Sequence, residues 1–129
     1  MVDQHLKDLI SNPKGRVCLS RESPEFFDTF YCGMRSARHR SEWFNRIEEY
    51  KKRLKGTRNK AYILQLAPRD HGKTEFGVTF ATREICLNRN IKILWISESQ
   101  TAAEKRLRRV STLLQSDKIT ADFGQIRGK

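Results

Sequence analysis

No stretch of this 129-residue chain is apolar over anything near the length that a membrane helix needs. The amino terminus, MVDQHLKDLI, mixes charges among its apolar residues where a secretion signal would run unbroken. Cysteine is scarce and scattered. Cys18, Cys32 and Cys86 form no Cys-x-x-Cys pair and have no histidine at ligand spacing, which excludes a disulfide framework and a zinc site. A reducing, cytoplasmic setting without membrane contact is therefore expected. Internal repeats and low-complexity tracts are also missing. Negative charge is in short supply: 15 Asp and Glu stand against 26 Lys and Arg, a net charge of +11. Such an excess suits an anionic partner, whether nucleic acid, nucleotide or acidic lipid, and a basic surface kept for solubility is the competing reading. What remains is 37% hydrophobic, enough for one core in a chain of single-domain length.

The apolar periodicity divides the chain. Residues 3–10 read as a short amphipathic helix stopped by the turn formers Ser11, Asn12, Pro13, Lys14 and Gly15. Ser23-Pro24-Glu25 is a helix start, with Phe26, Phe27 and Phe30 as its apolar face. From Ser36 to Leu54 the residues Trp43, Phe44, Ile47, Tyr50 and Leu54 recur at helical steps, and Gly56 suits the stop. KAYILQL, residues 60–66, and IKILWI, residues 91–96, read as buried parallel strands. Helices are expected from Thr74 to Leu87 and from Ala102 to Leu114. Strand, loop, helix, strand and helix make a βαβα unit, so the expected fold class is α/β, a parallel sheet flanked by helices.

Between the first strand and its helix stands APRDHGKT, residues 67–74. A phosphate-binding loop reads Gly, four variable residues, Gly, Lys, then Ser or Thr, set between a strand and a helix. Gly72-Lys73-Thr74 completes that pattern, with Ala67 in place of the first Gly. The backbone amides from Asp70 to Thr74 are expected to curl around phosphates, with the helix N-terminus aimed at them. Lys73 would meet the β and γ phosphates of ATP, and the Thr74 hydroxyl would ligate Mg²⁺.

Pro68-Arg69-Asp70-His71-Gly72-Lys73-Thr74 resembles the Walker A loop of viral terminase large subunits of the tailed-phage type, the ATPase motors that package DNA. ILWISESQTAAEKRLRRVSTLL, residues 93–114, and Asp122-Phe123-Gly124 are similar to stretches that follow that loop in the family. The likeness covers residues 36–124. It implies a lead-in at residues 1–35 and a partial ATPase domain at 36–129. It also implies binding by Ala67, Pro68, Arg69, Asp70, His71, Gly72, Lys73 and Thr74, with Lys73 and Arg69 acting on the γ phosphate. Double-stranded DNA, a portal protein and a small terminase subunit are the partners it implies, in the host cytoplasm. His39 falls where the family contacts the base, and an exposed His on a basic helix is the plainer reading. A motor of this kind also needs an apolar strand ending in Asp-Glu and a nuclease domain. Neither is found after residue 114, and Glu98 has no Asp before it, so the chain is expected to be a piece of a larger enzyme or a split gene product.

Between Arg35 and Lys60, ten Lys or Arg stand against three Glu. That face suits sequence-independent attraction to a nucleic-acid backbone, and a solvated helix with Glu to Lys pairs is the alternative. Two further functions stay open: another P-loop nucleic-acid ATPase such as a helicase, and a non-enzymatic basic DNA-binding module with a vestigial loop.

Overall fold

A computed structural model describes residues 3–126, so the outermost residues of the lead-in and of the second segment lie outside the described part. Among the described residues seven helices follow one another: α1 (Gln4–Ser11), α2 (Pro13–Glu22), α3 (Pro24–Phe30), α4 (Arg38–Leu54), α5 (Lys73–Leu87), α6 (Gln100–Leu114) and α7 (Asp117–Phe123). Local chemistry explains their starts. Ser23 accepts a hydrogen bond from the Phe26 amide and Ser99 one from the Ala102 amide, and Pro24 occupies the first turn of α3.

Helix α2 corrects the expectation of a turn at residues 11–15. Asn12 accepts from the Lys14 amide and Pro13 takes the first helical position, so the residues read as a stop also open a new helix. Gly15 is required there, since a Cβ would come within 2.2 Å of the Leu9 carbonyl oxygen where α1 and α2 cross.

The core gathers on α5, which is buried nearly all round. Phe27, Tyr31 and Cys32 from α3 and its end pack with Val78, Ala81 and Cys86 of α5, Val110 and Leu113 of α6, and Ile119 of α7. Helix α4 joins through Phe44, whose ring centroid lies 4.6 Å from that of Phe76. The three-residue and four-residue spacing on α4 therefore finds the core at Phe44, while Tyr50 stays exposed.

The expected parallel sheet is overturned: among the described residues there is no strand. Residues 60–66 and 91–96 do not form a ladder. Tyr62, Leu64 and Leu66 are each more than 80% exposed, as are Leu94 and Ile96. Alternation survives in part: Ile91 and Trp95 are half-buried, Trp95 packs on the core, and their neighbours are exposed. Glycine at 77 permits that contact, because a Cβ would lie 2.9 Å from the Trp95 ring. The physical reason for the missing ladder is that parallel strands need neighbours and cover on both faces, whereas here Tyr62, Leu64, Leu66, Leu94 and Ile96 are left facing solvent.

Candidate anion-binding loop

Residues 67–75 enclose an open hollow of about 360 Å³ at the start of α5. All eight residues expected to bind nucleotide, Ala67 to Thr74, line it, and Glu75 joins them. Two left-handed residues shape the bend: Gly72 at φ 71° and Asp70 at φ 62°. Glycine takes such a φ freely, while Asp is one of the few side chains that tolerates it. The Gly72 carbonyl accepts the Phe76 amide at 2.8 Å and closes the first helical turn. The amides of Lys73, Thr74 and Glu75 then have no partner within the helix, and they sit at the positive end of its dipole.

Arg69, Lys73 and Thr74 are exposed, and their side chains have no hydrogen-bond or ion-pair partner among the described residues. A cation at a helix N-terminus opposes the dipole, at a cost of about 0.3–1 kcal/mol. Lys73 therefore breaks a local rule, as does Asp70 with its positive φ, and both do so within one hollow. The two carboxylates present, Asp70 and Glu75, reduce the positive field, although Glu75 is drawn off by Arg109 of α6 at 3.5 Å.

Helix α4 braces the loop from behind. His39 donates from Nε2 to the His71 carbonyl at 3.1 Å, and His71 donates from Nδ1 to the Arg69 carbonyl at 2.9 Å. The His39 ring meets Trp43 edge-on at 4.9 Å, and Trp43 in turn meets Phe76 at 5.2 Å. His39 thus reaches the loop, through its backbone. Arg40, one residue on, also reaches it, with Nη1 3.4 Å from the Gly72 carbonyl oxygen. Arg40 and Glu75 escaped the sequence reading: Arg40 looks like one more cation on a basic helix, and Glu75 like an ordinary acid of the first turn.

Other expected residues lie elsewhere. Glu98 is exposed and outside the hollow's lining. Asp122 has a structural place. Arg16 donates to both of its oxygens at 2.7 and 2.9 Å and the Tyr31 hydroxyl donates at 2.7 Å, tying α2, α3 and α7 together. The Arg16 hydrogen bond, with help from Tyr31, holds the Asp122 carboxyl below its ordinary range, and burial together with Asp122 pushes the Tyr31 hydroxyl upward. Burial lifts the Cys32 and Cys86 thiols to about 12, which leaves them protonated and unreactive. No cluster of three or more His, Cys, Asp or Glu among the described residues is arranged to hold a metal ion. Magnesium does not need one, since it is commonly held by one or two protein oxygens, waters and the phosphates of its nucleotide, and the exposed Thr74 hydroxyl at the hollow fits that part.

The basic face is partly spent on internal pairs. Arg38 binds Glu42 at 3.1 Å, Arg53 binds Glu49 at 2.6 Å, and Lys51 reaches both Glu48 and Glu84. Arg35, Arg46, Lys52, Lys55, Arg58 and Lys60 are exposed without such a partner among the described residues.

Comparison of the chain with protein-family profiles, with curated proteins and with solved structures finds no match. Among the described residues no helix is long and apolar enough to cross a membrane.

Proposed function

We propose that residues 67–75 bind the polyphosphate of ATP with Mg²⁺, and that the chain is the ATP-binding part of a DNA-packaging motor of the terminase large-subunit kind, at work in the host cytoplasm. One observation carries the nucleotide reading: a hollow of about 360 Å³ bounded by a helix N-terminus, with unpartnered Lys73, Arg69 and Thr74 on its wall. Lys73 supplies charge to the outer phosphates, Arg69 assists at the γ position, and the unpaired amides of Lys73 and Thr74 receive phosphate oxygens. Bound Mg²⁺ offsets phosphate charge, with the Thr74 hydroxyl as its protein ligand. Glu75 is paired with Arg109 and Glu98 is not among the lining residues, so nucleotide binding, with little turnover, is the activity assigned to these residues. The motor itself, with its portal and small-subunit partners, rests on the family resemblance of residues 36–124, mostly on Pro68-Arg69-Asp70-His71-Gly72-Lys73-Thr74.

A second reading is favoured by one separate observation, the unpaired cations along and beyond α4. It makes the chain a non-enzymatic module that binds double-stranded DNA through its backbone. Calorimetric titration with MgATP, beside DNA binding followed against salt, tells the two apart. The first reading gives a saturable nucleotide signal. The second gives none, with DNA affinity falling at a log-log slope of about −5 if those six cations each neutralise a phosphate.

A further inference from the structure

We infer that Arg40, held by Asp28, is a positioning residue for the phosphate loop: it grips the Gly72 carbonyl and thereby aims the Lys73 amide into the hollow. The inference rests on the polyphosphate reading above and names a residue outside the Gly-Lys-Thr pattern. Arg40 is 7% exposed and Asp28 only 3%. Nε and Nη2 of Arg40 donate to the two Asp28 oxygens at 3.0 and 2.8 Å, a bidentate pair that locks the guanidinium plane. Nη2 also donates to the Thr79 hydroxyl at 3.2 Å, and the guanidinium carbon lies 5.7 Å from the centre of the Phe76 ring. The plane so fixed presents Nη1 to the Gly72 carbonyl oxygen at 3.4 Å.

The Gly72 oxygen thus takes two donors, the Phe76 amide and Arg40, both on the helix side. A trans peptide sets its C=O and the following N–H on opposite sides. Holding the carbonyl against α5 therefore turns the Lys73 N–H away from the helix body, toward the residues that bound the hollow. A buried ion pair is seldom retained for stability, because an apolar pair of similar size often does as well. What an apolar pair cannot supply is a rigid donor at Gly72. Through Asp28 the arrangement also connects α3, in the lead-in, to the loop.

The test exchanges the pair for apolar residues of similar size, Asp28→Leu with Arg40→Met, and compares it with the wild-type chain. Far-ultraviolet circular dichroism reports folding, nitrogen-proton spectra of the free proteins report the Gly72 to Thr74 amides, and calorimetry reports MgATP affinity. The expected result is an unchanged helical signal, displaced amide resonances at 72–74 and an affinity lowered about fivefold, the worth of one modest hydrogen bond. Thr79→Val removes a bond from the same guanidinium that does not touch the loop, and it is expected to keep wild-type affinity. Wild-type affinity in the folded double variant, or an equal loss in Thr79→Val, overturns the inference. Should the double variant lose its helical signal, Arg40→Lys decides instead. An ammonium can pair with Asp28 without spanning to Gly72, so undiminished affinity there overturns the inference and a comparable loss supports it. A wild-type chain that binds no MgATP takes down the nucleotide reading, and the positioning role with it. Binding by wild type with no loss in the folded variant takes down the positioning role alone.

Discussion

Replacing Lys73 with Ala isolates the charge in the hollow from the fold. The side chain is exposed, has no partner among the described residues, and stands at the first position of α5, where the helix dipole opposes a cation. Its removal should therefore leave stability within about 0.5 kcal/mol of wild type, or raise it slightly. Affinity is another matter. A hydrogen bond to a charged group contributes about 1.5–3 kcal/mol, so losing one ammonium contact to phosphate should weaken MgATP about tenfold to a hundredfold. Calorimetric titration gives the affinity, and urea unfolding of the same samples gives the stability. Unchanged affinity in Lys73→Ala would refute the placing of that ammonium on the phosphates. A large loss of stability would refute the reading of Lys73 as structurally idle.

Two predictions concern the scaffold and follow from buried charge. Arg83 is 2% exposed and donates to the Ser20 and Arg21 carbonyls at 3.0 Å each and to Glu48 at 3.0 Å, closing the end of α2 against α4 and α5. Arg83→Met should cost about 2–4 kcal/mol in urea unfolding, since it strands two carbonyls and leaves the Glu48 carboxylate to Lys51. Asp122 titrates below its ordinary value of 3.8 in the folded chain, so the stability it contributes is fully present above that value and disappears as pH falls through the lowered one. The gap in unfolding free energy between wild type and Asp122→Asn should hold steady from about pH 5 to 7 and narrow below pH 3.8; a gap that widens on acidification contradicts the assignment.

The bend at residues 70–72 and the helix start after it were legible because their signals are local. Gly72, Lys73 and Thr74 are neighbours in sequence, and the helix that must follow them carries its own periodicity, so α5 begins one residue from its expected start. The helix start at the capping Ser23 was legible for the same reason, while α6 begins two residues before its expected start at Ala102. Helix α2 was hidden because Asn, Pro and Gly both stop and start helices, and only the close crossing at Leu9 explains Gly15. The sheet was misread from residues 60–66 and 91–96, whose apolar side chains state a wish for burial and nothing about the neighbours needed to satisfy it. Arg40 and Arg83 could not be singled out, because a cation on a charged helix looks solvated until Asp28 or Glu48 is seen beside it.

The most direct measurement follows the backbone amides of Gly72, Lys73 and Thr74 by nitrogen-proton spectroscopy while MgATP is added, with adenosine as the control. Saturable shifts centred on those three amides with MgATP, and none with adenosine, are the expected result. Silence at these amides, or equal shifts with adenosine, contradicts the assignment of the hollow to polyphosphate.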